Sequence, residues 1–309
     1  MKKQWLILAM AVCLASCAFA QQNYEIHALR PFGKQPPQVQ APTISYNGGP
    51  VFETTPNIYI VYYGKWTAKD HKVIDGFFTR LGGSKMNKIN TTYSDSANKF
   101  VPNSINYVPA TNSYNDNYSL GKSVRDAQIR QIVGAAISGG HLPSDANGIY
   151  FVLTATDVAD PDGQCTQFCG YHGPALNIVS GKTIKYSMVG NPARCPTGCE
   201  ASAVLGDSNS PNNDPGADGT INIMWHEFSE TTSDPEVNMH TAWAGNNCGE
   251  NGDCCAWQFG NTFQAPNGTT ANEQLGQKYY ITQMMLELTS KTRGQNVPGV
   301  CENVFKKNP

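Results

Sequence analysis

Two runs, Asn57-Ile58-Tyr59-Ile60-Val61-Tyr62-Tyr63 and Gly148-Ile149-Tyr150-Phe151-Val152-Leu153-Thr154, are apolar at nearly every position. A strand with one wet face alternates apolar and polar residues. A run without alternation, rich in β-branched and aromatic side chains, reads as a strand buried on both faces. Strands of that kind need helices on either side of their sheet, and the segment between the two runs is long enough for a helical crossover.

The intervening sequence has the right periodicities. Ala68 to Leu81 carries Val73, Ile74, Phe77 and Phe78 at helical spacing. A second helix is expected from about Val124 to Ser138, with Ile129, Ile132, Val133, Ala136 and Ile137 as its stripe and Gly139-Gly140 as its stop. The polar stretch 84–119 predicts short strands near Lys99–Val101 and Ile105–Val108. Cys165–Gly173 and Lys185–Val189 predict two more. The pattern is that of an α/β (α+β) fold in which a mixed β-sheet is packed with helices.

The first residues read as an export signal over 1–20: Met1-Lys2-Lys3, an apolar run from Trp5 to Leu14, and Ala18-Phe19-Ala20 before Gln21. That run is too short to cross a bilayer, and no integral membrane span is expected elsewhere. Leu14-Ala15-Ser16-Cys17 offers a lesser alternative, a lipid anchor on Cys17. Residues 21–44, rich in Gln and Pro, read as a flexible leader. Residues 45–309 read as one domain, sheet-rich over about 45–205, with a helix and a cysteine-rich portion over about 206–309.

Loss of Lys2 and Lys3 with the signal leaves 20 basic residues (22 less two) against 24 acidic ones. No basic stripe argues for nucleic acid, and no cationic amphipathic helix for a membrane surface. Eight of the 10 cysteines follow Gln21, which in an exported chain points to disulfides. They form the Cys-x3-Cys pairs Cys165/Cys169 and Cys195/Cys199, the cluster Cys248, Cys254 and Cys255, and Cys301. A bond between the adjacent Cys254 and Cys255 would be strained, so Cys248 and Cys301 are their candidate partners.

The most informative segment follows the loop Asn212–Gly219. From Thr220 to about Ser233, Ile221, Met224, Trp225 and Phe228 fall at i, i+3, i+4 and i+7, an amphipathic spacing. His226 and Glu230 lie roughly opposite that stripe, one turn apart, so an imidazole and a carboxylate can converge on one ion. Glu227, offset between them, is placed as a general base. This is the layout of His-Glu-x-x-His with the second histidine replaced by glutamate. Asp234, His240, Glu250 and Asp253 are candidates for a further ligand. Zn2+ is the first choice of ion, with manganese or another harder ion suited to two carboxylates and one imidazole.

Other constellations are weaker. Asp214 and Asp218 flank a Gly/Pro turn, for which calcium binding is the alternative and a solvated loop with Asp218 as helix N-cap the simpler reading. His172 is expected to be structural or to line a cleft near an edge strand. Trp225, Trp243 and Trp257 are read as core residues, with a sugar platform as the alternative.

Several blocks in order, Ile58–Trp66, Asn117–Lys122, Tyr150–Val158 with the Cys-x3-Cys-Gly-Tyr-His-Gly that follows, Met188–Pro192 with Cys-Pro-Thr-Gly-Cys, and Asn212–Gly219, resemble the EXORDIUM/phosphate-induced protein family over about residues 45–285. The resemblance implies an extracellular protein of a family whose plant members are associated with growth and the cell wall. His226, Glu227, Glu230, Ser233-Asp234-Pro235, Trp243 and Glu250-Asn251-Gly252-Asp253 before Cys254 and Cys255 resemble microbial members; plant members lack the His-Glu motif. The acidic loop at 250–253 is thereby drawn into the same site. A more distant, fold-level resemblance is to zincin peptidases, whose active helix follows a mixed sheet with an edge strand at the substrate cleft.

Three functional readings follow. One is a secreted zincin-like hydrolase acting on a peptide or a cell-wall polymer, with His226, Glu230 and Glu250 or Asp253 on the metal and Glu227 as base. Another is a non-catalytic extracellular module binding a wall glycan or a receptor. A purely structural metal clip is a third reading.

Overall fold

The computed structural model describes residues 27–303, apart from 246 and 291–292. The export signal and the lipid-anchor alternative lie outside the described residues.

The two apolar runs are the central strands β3 (Asn57–Tyr63) and β5 (Gly148–Thr154), paired in parallel and in register from Asn57/Gly148 to Tyr63/Thr154. β4 (Ser113–Asp116) lies parallel to β3 on one side, and β7 (Lys182–Gly190) parallel to β5 on the other. β6 (Gly170–Val179) runs antiparallel to β7, and β1 (His27–Leu29) antiparallel to β6, giving the order β1-β6-β7-β5-β3-β4. The mixed sheet packed with helices is therefore as the sequence predicts.

Two details differ. The short strands expected near 99–101 and 105–108 are only isolated bridges, Ser94 to Phe100 and Asn57 to Asn106, whereas a true strand forms at 113–116. That strand carries no apolar pattern because it is an edge, paired on one side only. The leader expected over 21–44 is partly built into the fold. Leu29 in β1 is fully buried, and β2 (Thr43–Tyr46) joins a second sheet.

That second sheet has the order β13-β14-β2-β8, built from Met285–Leu288, Val297–Glu302, β2 and Trp243–Ala244. Two small hairpins, β9/β10 (Phe263–Gln264 with Thr270–Ala271) and β11/β12 (Glu273–Leu275 with Lys278–Tyr280), lie between.

Helix α1 (Ala68–Leu81) opens with a capping box, in which Asp70 N donates to Thr67 Oγ1 and Thr67 N donates to Asp70 Oδ2. It shares one face of the main sheet with α3 (Pro215–Ser233), and Phe77, Phe78, Ile223 and Phe228 join Ile58, Ile60 and Phe151 in one core. Helix α2 (Asp126–Ser138) covers the other face. α3 begins five residues before the expected start because Asp214, not Asp218, is its N-cap and Pro215 occupies N1. Every residue of α3 from Gly216 to Ser233 is buried. The amphipathic reading of this helix thus gives way to a helix enclosed on all sides, between the main sheet, α1 and the C-terminal segments.

The four disulfides are Cys165–Cys195, Cys169–Cys199, Cys248–Cys254 and Cys255–Cys301. No helix among the described residues is long and apolar enough to cross a membrane.

Candidate metal centre

Three elements meet at the motif. α3 brings His226, Glu227 and Glu230. β6, which packs against α3, brings His172. The loop closed by Cys248–Cys254 brings Glu250 and Asp253. His226 Nε2 lies 3.0 Å from Glu230 Oε1 and 3.7 Å from Asp253 Oδ1. His172 Nε2 lies 3.1 Å from Glu250 Oε2 and 3.4 Å from Glu230 Oε2. The donor atoms thus form two sets, His226/Glu230/Asp253 and His172/Glu230/Glu250, each confined within 4.8 Å and joined through the two oxygens of Glu230.

The loop is held with little freedom. Gln283 Nε2 donates to Gly252 O, and Gln283 N donates to Asn222 Oδ1 on α3. Asn251 Nδ2 donates to Ser229 O, and Leu286 N to Asn251 O. Asp253 N donates to Glu230 Oε1 at 3.0 Å. Gly252 is required by contact: a Cβ there would lie 2.8 Å from His226 Nδ1 and 2.9 Å from Glu230 Oε1.

The electrostatics are costly without a cation. The side chains of His172, His226, Glu227, Glu230 and Glu250 have no solvent exposure, while Asp253 keeps a quarter of its side-chain surface. Burial alone would lower the pKa of His226, but the charges of Glu230, Glu227 and Asp253 push it up to about 10. Burial likewise opposes protonation of His172, and Glu250 and Glu230 overcome it. Burial pushes the Glu227 carboxyl up to about 8 against the pull of His226. For Glu230 the two imidazolium charges outweigh burial and hold it below the usual carboxylate range. The metal-free cluster therefore balances its charge by keeping protons on its histidines.

The donor set fits a divalent ion. A tetrahedral site with bonds of about 2.0–2.1 Å has donor atoms about 3.3–3.4 Å apart, and the separations above scatter around that value. His226 Nε2, although 3.0 Å from Glu230 Oε1, makes no aligned hydrogen bond. Glu227 points elsewhere: its Oε1 accepts from Leu29 N at 3.4 Å, while its Oε2 has no hydrogen-bond partner among the described residues.

Of the ligands expected from sequence, His226, Glu230, Glu250 and Asp253 come together, and Glu227 stands beside them. Asp234 and His240 do not join them. Asp234 ends α3 and accepts from Ala242 N, and His240 is exposed. Asp218 is not an N-cap but a buried acceptor for Ser210 Oγ and for Asn212 N and Nδ2, which leaves a calcium reading of this turn no free carboxylate face. Trp225, Trp243 and Trp257 are buried, so they are core residues and not a sugar platform.

Sequence reasoning left His172 out of the metal set. Its signal was the alternation along β6: His172 lies on the α3 face, while Tyr171 enters the core on the α2 face. Gln283 and Gly252 carried no signal a single sequence exposes.

The chain belongs to the phosphate-induced protein 1 family. Residues 44–284 match the model of the phosphate-induced protein 1 conserved region, most of the chain. It is 28% identical over 281 residues to Protein EXORDIUM-like 5 of Arabidopsis thaliana, covering 83% of this chain and 72% of that one. It is 30% identical over 219 residues to Protein EXORDIUM-like 3 of the same plant, covering 65% and 63%. To Protein PHOSPHATE-INDUCED 1 of Nicotiana tabacum it is 27% identical over 252 residues, covering 74% and 75%. No solved structure matches the chain.

Proposed function

We propose that this chain is a secreted metal-dependent hydrolase with a zincin-like active helix, acting on peptides or another extracellular polymer. One observation carries the reading: His226, Glu230 and Asp253 gather three donor atoms within 4.8 Å of one another in a largely buried site, with Glu227 beside them and not among them. A divalent ion held there, Zn2+ by first choice, would polarise a carbonyl and make water acidic near neutral pH. Glu227 would take the proton from that water and hand it to the leaving group. Its raised affinity for a proton suits that exchange, and the edge of the sheet beside β6, now taken by β1, suits an extended substrate. Export is supported by the four disulfides and by the leading sequence.

The site is closed as it stands. β1 pairs with β6 beside it and Leu29 N contacts Glu227, so on this reading substrate would enter where β1 now lies. That closure favours a second reading, in which the metal only clamps α3 to the 250–253 loop. Glycan binding by the three tryptophans finds no support, since all are buried.

Metal analysis of purified protein, followed by hydrolysis assays on a peptide library, separates the readings. Under the hydrolase reading the Glu227→Gln variant keeps its metal and loses about 10²- to 10⁴-fold in rate. A chain shortened to begin at Arg30 should cleave faster than the longer one. Metal retention and chelator-induced loss of melting temperature, with no cleavage by either chain, would leave the clamp. Protein free of stoichiometric metal under all loading conditions would sink both.

A further inference from the structure

We infer that the centre holds two divalent cations rather than one, with a second position formed by His172, Glu230 and Glu250 and with Glu230 bridging the pair. This deepens the metal-dependent reading above and rests on it.

The geometry duplicates itself. Around His226 Nε2 the nearest donors, Glu230 Oε1 and Asp253 Oδ1, stand at 3.0 and 3.7 Å. Around His172 Nε2, Glu230 Oε2 and Glu250 Oε2 stand at 3.4 and 3.1 Å. Each set has one imidazole nitrogen and two carboxylate oxygens, and each draws on a different oxygen of the same Glu230. A carboxylate that offers one oxygen to each of two sites is the bridge of two-metal centres, whose ions lie about 3.5–4 Å apart. Glu230 is fully enclosed, and its Oε2 makes no aligned hydrogen bond although it lies 3.4 Å from His172 Nε2.

The donor chemistry is compatible with this: each position offers one imidazole and two carboxylate oxygens, a set that suits a divalent ion. A mixed set of imidazole and carboxylate donors takes zinc, manganese or iron(II) without preference for a thiolate-loving ion.

The positions of the donors explain why a second site can form here. His172 is anchored in a strand of the main sheet, Glu230 in a helix closed on all sides, and Glu250 in a loop fixed by Cys248–Cys254. None of the three has to move to reach the others.

The test uses the full chain, stripped with chelator, reloaded separately with zinc and manganese, and freed of excess ion by gel filtration. Native mass spectrometry should count two ions per chain in the wild type. His172→Ala and the isosteric Glu250→Gln should each retain one ion, Asp253→Ala should also retain one, and Glu230→Ala none. With manganese, electron paramagnetic resonance should show an exchange-coupled signal in the wild type. In Glu250→Gln this should change to the six-line pattern of an isolated ion. The Glu250→Gln variant guards against misfolding of His172→Ala, since it keeps the size of the side chain. A count of one ion per chain, lost on His226→Ala and kept on His172→Ala and Glu250→Gln, overturns the second position and leaves the proposed function standing. A count of zero in the wild type under both loadings overturns the proposed function together with it.

Discussion

On one face of the six-stranded sheet, α2 buries Ile129, Ile132, Val133 and Ala136 against Tyr59, Val61, Tyr150 and Val152, with Ile137 packed at its border, and leaves Ala127, Gln131, Ala135 and Ser138 exposed. On the opposite face α3 is buried from Gly216 to Ser233 and carries His226, Glu227 and Glu230 into the interior with Asn222 and Ser229. The same strands supply both faces. The α2 face is an apolar seal whose polar groups can reach water. The α3 face has accepted buried charge, which destabilises a fold unless partners neutralise it. β6 sets His172 against Glu230, and the disulfide-closed loop sets Asp253 against His226 and Glu250 against His172. The contrast shows where specificity resides: one helix could be exchanged for any stripe of the right volume, the other could not.

The largest effect expected is from Glu230→Ala. Removing the residue common to both donor sets leaves buried His226 without its nearest carboxylate and His172 without its second, at a cost of about 3–5 kcal/mol. Differential scanning calorimetry should show a fall of about 6–15 °C, and metal analysis a complete loss. Ile132→Ala is the matching change on the other face. It should cost about 2–5 kcal/mol through a cavity, with metal content unaltered. If it also emptied the metal centre, the two faces would not be separable.

Gly252→Ala tests the close approach of backbone to the cluster. Its Cβ would meet His226 Nδ1 at 2.8 Å, so the loop must shift, at about 1–3 kcal/mol. The shift should appear as roughly ten- to hundredfold weaker metal binding by titration calorimetry, with modest loss of melting temperature. Wild-type affinity in this variant would mean that the loop does not define the site.

The smallest change concerns a buried acid away from the centre. Burial pushes Asp160 up to about 6, against a hydrogen bond from Asp162 N that favours the carboxylate, and its Oδ2 has no hydrogen-bond partner among the described residues. A carboxyl with a raised folded pKa binds its proton more tightly in the fold. Its contribution is full below about pH 4 and is lost as pH rises to about 6. Asp160→Asn should therefore stabilise the protein by about 1–3 kcal/mol above pH 6 and change little below pH 4. Denaturant melts at two pH values decide it.

Much of this architecture was legible in the residues. The runs at 57–63 and 148–154 announced central strands because burial on both faces removes alternation, and α1 followed from Val73, Ile74, Phe77 and Phe78. The start of α3 was misread because Asp214 and Asp218 both suit an N-cap, and only the loop geometry selects between them. β4 and β1 escaped because edge strands are short and need no apolar pattern. The motif on α3 named its own neighbours, His226 and Glu230, since spacing along one helix fixes which side chains lie side by side.

By itself, then, the sequence determined the sheet core, the pairing of His226 with Glu230 one helical turn apart, and the cysteines that would close the loops. Only the tertiary structure decided that His172, 78 residues before Glu250, completes the cluster. It alone also put Leu29 over Glu227 and excluded Asp234 and His240 from the site. Helical and strand periods are local, so they can be read from neighbours in the chain. The convergence of a strand, a helix and a loop depends on how sheets and disulfides pack over long separations, and no local period encodes that.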